Sequence, residues 1–281
     1  MRALRWLALT AALAGCAVVA PPPIAQAARL RGDTIALLGE IHDNADAHCL
    51  RLAMLRRALA AGWRPAIAME QFDLQRQADI DRARREAPRD AQHVIDLAAP
   101  SGSGWDWALY RPVIALALEY ELPLLAANLP GADTGKIVRG GYADVFDAGR
   151  LAALGLDQPV APDWQAAQER EIDAGHCGLL PAAMWPAMAR AQFARDAVMA
   201  DLLRQHADRG VVLIAGDGHV RRDIGVPRRL GIADEQRVLA IGFLEADESP
   251  ALADAYDAVV RVPPAPRPDP CTALKERRPP G

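Results

Sequence analysis

Two histidines of this chain sit in the same short pattern although far apart: Gly39-Glu40-Ile41-His42 and Gly216-Asp217-Gly218-His219 both read Gly-x-x-His. Glu40 stands inside the first. Glu70-Gln71 and Ala127-Asn128 follow two further apolar runs. Two imidazoles and two carboxylates brought together can share general acid–base work or hold a divalent metal, so Glu40, His42, Glu70 and His219 are the candidates for both roles. Each also has a plain structural reading: Glu40 as a cap of the helix that follows it, Glu70 as the partner of Arg195, His219 as a satisfied loop histidine. What favours a site is that all four lie just beyond apolar runs, in a chain with only six histidines.

Those runs define the elements that must position the site. Residues 34–38, 65–69, 122–126, 211–215, 238–243 and 257–262 are short, aliphatic and bounded by Gly, Pro or polar residues. Without polar alternation, they suit strands covered on both faces. Helical patterns occupy 46–61, 74–86, 106–121, 164–174 and 182–207. Alternation of this kind implies an α/β fold, a mainly parallel sheet with helices on both faces, and ligands collect at the carboxyl edge of such sheets. Residues 131–181 contain no strand pattern and read as a helical insertion or lid.

The ends carry a different message. A basic start with Arg2 and Arg5, an apolar run too short for a bilayer, and Leu13-Ala14-Gly15-Cys16 describe a lipoprotein signal over residues 1–16, with lipidation at Cys16. Ala17 is not aspartate, which resembles outer-membrane rather than inner-membrane sorting, with the protein facing the periplasm. Pro21-Pro22-Pro23 make 17–29 a stiff tether, residues 30–262 form the domain, and the Pro- and Arg-rich 263–281 reads as a disordered tail. In an oxidising compartment two of Cys49, Cys177 and Cys271 can pair. Cys49 with Cys177, leaving Cys271 in the tail, is one pairing, and the sequence does not choose.

Several chemistries are disfavoured. There is no Gly-x-Ser-x-Gly elbow, and Ser101 and Ser103 lie in a glycine-containing loop. No phosphate-binding glycine loop and no basic stripe interleaved with aromatics is present, which argues against nucleotide and nucleic-acid partners. Arg195-Asp196, within a helical pattern, reads as a solvated pair, with the alternative that Arg195 turns into the cleft to bind a carboxylate or propionate. His176-Cys177 ends the insertion, where a soft metal could use it. His48, His93 and His206 read as surface or core residues. Trp105-Asp106-Trp107 and Tyr110 open a helix and suit a core. A tyrosinate can nevertheless ligate haem iron, which also makes Tyr110 and Tyr142 candidates.

Taken together, Leu37 through Asn44, Ala68 through Phe72, Trp105-Asp106-Trp107 with Tyr110 and Pro112, Leu122 through Asn128, His176-Cys177, Ala191-Gln192 with Arg195-Asp196, and Gly216 through Arg222 resemble the ChaN-like haem-binding lipoproteins of the Tiki/TraB/erythromycin-esterase-like superfamily. The resemblance implies haem binding in iron uptake beside outer-membrane machinery, and a homodimer around stacked haems with a tyrosine on each iron. Tyr110 is the first choice for that ligand and Tyr142 the second, with His219, Arg195, Arg221 and Arg222 as further haem contacts. Some branches of the superfamily are hydrolases, some of them metal-dependent. The alternative is thus a hydrolase of an ester or peptide that uses Glu40, His42, Glu70 and His219 with or without a divalent metal.

Overall fold

A computed structural model describes residues 24–99, 102, 104–231, 237–269, 271, 272 and 275. Six strands form one sheet in the order β3-β2-β4-β1-β5-β6: β1 (Ile35–Leu38), β2 (Ala66–Asp73), β3 (Leu124–Asn128), β4 (Val211–Ile214), β5 (Val238–Glu245) and β6 (Ala258–Val262). Every neighbouring pair is parallel. All six apolar runs form strands, and the α/β architecture is as expected.

Why those runs lack alternation is visible in where consecutive residues point. Ala36, Leu38, Ile67, Met69, Val212 and Ile214 pack into one core, while Ile35, Leu37, Ala66, Ala68, Val211 and Leu213 pack into another. Successive side chains of a strand go to opposite faces, and both faces here are covered. The first core lies under α2 (Ala45–Ala60), α3 (Gln77–Glu86), α4 (Ala91–Ala98) and α5 (Trp107–Glu119). The second lies under α9 (Trp185–His206) and the short α10 (Asp217–Val220) and α11 (Pro227–Leu230).

The insertion contributes α6 (Gly131–Arg139), α7 (Ala148–Leu154) and α8 (Pro162–Gly175), which pack along α9 through two small apolar clusters. Two helix patterns begin as single 3-10 turns, at Leu74–Arg76 and Ala182–Met184. Helix α4, which the sequence reading passed over, is started by Asp90, whose carboxylate accepts from the Gln92 and His93 amides. Such a cap satisfies amides that the first helical turn leaves open. Part of the expected extended tether, Ile24–Arg29, is instead a six-residue helix, α1.

The C-terminal segment is not loose where it is described. Asn44 donates to the Pro263 carbonyl at 2.9 Å, the Ala265 amide donates to Glu245 at 2.7 Å, and Arg267 pairs with Asp43 and Glu245. Beyond them, Cys271 forms a disulfide with Cys177, with Cα atoms 5.6 Å apart. The pairing of Cys49 with Cys177 is therefore corrected, and so is a disordered tail over residues 263–267. A Pro- and Arg-rich composition has little to bury, but one arginine, Arg267, meeting the buried Glu245, together with a covalent bond, holds it without a core. The bridge closes a loop with a sequence separation of 94, so cutting it releases much unfolded-state entropy. Cys271→Ser is expected to lower stability by about 2–4 kcal/mol, read as a lower urea midpoint; an unchanged midpoint would show that the bridge constrains nothing.

Candidate functional site

Strands β3, β2, β4 and β1 are consecutive neighbours, so their carboxyl ends line one stretch of the sheet edge. Glu40, just beyond β1, is 2 % exposed. Its Oε1 accepts from His42 Nδ1 at 2.9 Å, Gln71 Nε2 at 2.8 Å and the Tyr110 hydroxyl at 2.7 Å, and its Oε2 pairs with Arg51 of α2. Burial would raise its pKa, but Arg51 and the His42 hydrogen bond outweigh that and hold it at about 2. Helix α2 has Asn44 as its cap, not Glu40.

Arg51 is oriented in turn. One of its amino groups donates to His48 Nδ1 at 2.8 Å, so the proton of that ring is on Nε2, which donates to the His42 carbonyl at 3.1 Å. Burial, then the charge of Arg51, keep the His48 pKa down at about 4. His48 is thus a neutral link between Arg51 and the loop that bears His42. The His42 ring is half-exposed and meets Trp105 edge-on at 4.7 Å. Burial lowers its pKa, yet its hydrogen bond to Glu40 and the charge of Glu70 raise it above the usual imidazole value.

The second carboxylate–imidazole pair comes from α10, just beyond β4, and from α9. His219 donates from Nδ1 to Asp196 at 2.6 Å, and its Nε2 lies 3.7 Å from Glu70. Glu70, buried in β2, accepts from Arg195 at 2.5 Å and from the Gly216 amide at 2.7 Å. Burial raises its pKa, and His219 and Arg195 together bring it below the ordinary value. Arg195 also donates to Asn128 at 3.0 Å. Gly216 allows a close approach here: a Cβ at that position would stand 3.1 Å from the His42 ring, a tight contact, and 3.7 Å from Glu70.

Glu40, His42, Glu70 and His219 are therefore brought together, and Arg195 with them, joined by Asp196, Arg51, Gln71 and Asn128. Arg195 and Asp196 are not a solvated pair; Asp196 is 2 % exposed and Arg195 points into the cleft. The metal role expected of Glu40, His42, Glu70 and His219 is not borne by the geometry, because among the described residues no group of three or more His, Cys, Asp or Glu could hold an ion. Each carboxylate already has a guanidinium. Tyr110, the first choice for an iron ligand, is fully buried, donates its hydroxyl to Glu40, and has its pKa pushed up by burial and by Glu40. In this arrangement it is a support for Glu40 rather than an accessible phenol. Arg221 pairs with Glu171 and Asp223, and Arg222 with Asp257, so both guanidiniums are spent. His176 donates from Nδ1 to the Ile172 carbonyl, and Cys177 is in its disulfide, which leaves no thiolate for a soft metal.

Tyr142 is half-buried in the insertion, packed with Leu129, Ile137 and Leu154. Burial raises its pKa, opposed by Arg229 and Arg190. Both arginines have buried N–H groups without a hydrogen-bond partner: Nε of Arg190, and Nε and one amino group of Arg229.

A family described as haem-binding uptake, Tiki superfamily, ChaN, matches residues 26–230. The chain belongs to the ChaN family. Its fold is similar to that of ChaN of Campylobacter jejuni, described as binding haem cofacially, with a TM-score of 0.66 and 20% identity over 84% of this chain and 90% of that one. It is also similar to an erythromycin esterase, the EreC H289N mutant in its open conformation, with a TM-score of 0.46 and 12% identity over 76% of this chain and 70% of that one. No curated protein matches the chain. In this ChaN-family chain the match ends with α11, so it takes in the four strand ends and the whole insertion.

One buried group lies under the cluster. Asp217 fills the space left by Gly39, where a Cβ would collide with its Oδ1 at 1.9 Å. That oxygen accepts from the Phe243 amide at 3.2 Å, while Oδ2 is buried with no partner. Burial, with Glu248 and Glu40 nearby, pushes the carboxyl up to about 8. Between about pH 4 and 8 the folded protein then keeps a proton that the unfolded chain has released, so this group erodes stability as pH rises through that window. Asp217→Asn is expected to gain stability relative to the parent from pH 4 to 8 and to level off above, in urea midpoints taken across the series. A pH-independent difference would show that Asp217 is ionised throughout.

Proposed function

We propose that this chain is an envelope lipoprotein that binds haem and takes part in haem uptake. The observation that carries the reading is the family match, which covers residues 26–230, including four of the six strands and all four strand ends of the cleft. Haem requires an axial ligand, an apolar slot and cations for its propionates, and iron(III) favours an anionic oxygen. Tyr142 is the phenol that meets these needs best. Arg190 and Arg229 place positive charge beside it; each donates to one backbone carbonyl, Arg229 lies over the Trp164 ring, and both keep N–H groups without a partner. Leu129, Ile137 and Leu154 supply the apolar wall. A second copy covering the outer face of the haem, as the resemblance implies, remains part of the reading. So does Cys16 as the lipid-bearing residue at the outer membrane, facing the periplasm; it lies outside the described residues. Haemin titration followed by absorbance tests it. Saturable binding with a tyrosinate-like spectrum is expected, lost in Tyr142→Phe, weakened in Arg190→Leu and retained in Tyr110→Phe. No saturable binding sinks the haem reading, and loss only in Tyr110→Phe moves the ligand.

A second reading rests on the paired imidazoles. Each of His42 and His219 donates Nδ1–H to a buried carboxylate, which fixes the tautomer and leaves Nε2 as the basic nitrogen. The Gly216 amide and the Arg195 guanidinium lie beside them, and a cavity of about 240 Å³ runs along His219, Asp196, Gln192 and Gln168. His219 faces that cavity, while His42, outside its lining, is the more exposed imidazole and suits water activation against an uncharged ester or peptide carbonyl as general base. Hydrolysis of p-nitrophenyl acetate should then rise with pH through a midpoint above the ordinary imidazole value, because Glu40 raises the His42 pKa. His42→Ala should lower the rate by about 10²-fold or more. A rate equal to that of free imidazole, untouched by His42→Ala, rejects the hydrolase.

A further inference from the structure

The edge opposite the cleft has its own chemistry. Arg29, Arg31, Arg57, Arg64 and Arg209 are all exposed there, around a depression of about 650 Å³ bounded by Arg31, Trp63, Arg64 and Arg209. The side chains of Arg29, Arg31 and Arg57 make no hydrogen bond or ion pair with any described residue. Arg64 and Arg209 donate only to backbone carbonyls, and Arg64 also lies over the Tyr120 ring. Opposing charge is sparse: Asp33 is neutralised by Arg237 at 2.9 Å, which leaves Asp208 and Glu121. In a chain with a net charge of −4 this is a strong local excess of positive charge.

We propose that this edge docks on an anionic lipid surface and so turns the cleft away from the membrane. The inference rests on the reading of Cys16 as acylated. Seven residues, 17–23, separate Cys16 from α1, and fully extended they reach at most about 25 Å. Helix α1 adds about 9 Å and ends at Arg29, inside the basic patch. A chain tied to lipid at Cys16 therefore has its arginine-bearing edge, rather than its carboxyl edge, next to the headgroups. Each basic side chain near an anionic surface strengthens binding by about fivefold, so five arginines against two carboxylates favour contact even without the anchor. The arginines are spread around the ends of α1, α2 and the β2 and β4 entries, as a flat contact requires, rather than converging on one small ligand.

Cosedimentation of the chain from residue 17, which keeps every described residue, tests this. It is expected to bind vesicles of phosphatidylglycerol and phosphatidylethanolamine, to release them as salt rises from 0.05 to about 0.5 M, and to ignore phosphatidylcholine vesicles. Arg29→Glu, Arg31→Glu and Arg57→Glu together should weaken binding at least tenfold, with circular dichroism and haemin titration unchanged. Equal binding to both vesicle types, undiminished binding of the triple variant, or capture of heparin without vesicle binding would each overturn the proposal. Mass spectrometry of Cys16 from cells separates the two ideas. An unacylated Cys16 with vesicle binding intact removes the tether argument and the orientation; an acylated Cys16 with an unaffected triple variant removes the docking edge alone.

Discussion

Burying a carboxylate at the end of a strand costs several kcal/mol unless its oxygens are filled and its charge is met. Glu40 fulfils both conditions at once, through Arg51 on one oxygen and His42, Gln71 and Tyr110 on the other. Those partners come from the loop after β1, from α2, from β2 and from α5, so a single ion pair fixes how four elements meet. Removing either member would leave the other charged and buried, which is why the pair cannot be lost by halves. The hydrogen bond that His42 makes to Glu40 fixes the tautomer of that ring, and the Tyr110 hydroxyl is fully used in supporting the carboxylate. Whatever chemistry occurs at His42, its geometry is inherited from Glu40–Arg51.

The sheet order decides why a second, similar pair forms beside the first. Because β4 lies between β1 and β2, the Gly216 turn falls between Glu40 and Glu70, where a larger residue would press on the His42 ring. Asp196 reaches His219 from α9, on the other face of the sheet from α2. The cleft is thus served from both layers: Arg51 and Tyr110 from one, Arg195 and Asp196 from the other. This division follows from the pleat, which sends neighbouring strand residues to opposite helices.

Much of this was legible in the sequence because it depends on short-range pattern. Six aliphatic runs without alternation announce buried parallel strands, and the polar residues directly after them announce the site edge. Glu40, His42, Glu70 and His219 could be found in that way. Arg51, Asp196 and the neutral His48 could not, since each lies inside a helix where its direction depends on how that helix rolls on the sheet. The only local hint was that His48 and Arg51 are three apart, hence on one face. Nor could the direction of Tyr110 be read, since its place beneath Glu40, buried and donating to that carboxylate, depends on how α5 packs on the sheet. Composition misled at the C-terminus, where Pro and Arg suggested disorder while Glu245, Asp43 and Cys177, distant in sequence, hold the segment in place.

The haem reading and the polar cleft need not compete for the same atoms. The cleft residues sit at the strand ends, where Glu40 and Glu70 are matched by Arg51 and Arg195, whereas Tyr142 of the insertion lies near Arg190 of α9 and Arg229 of α11. Helix α9 runs through both, carrying Arg190 at one and Arg195 and Asp196 at the other. Arg190 and Arg229 each donate to a backbone carbonyl but keep buried N–H groups without a partner, and an unmet buried donor costs free energy. In the cleft, Glu40 and Glu70 are already paired with guanidiniums. On the haem reading, this charge balance would direct an anionic, apolar ligand to the side of Arg190 and Arg229 and leave the cleft to water and uncharged groups.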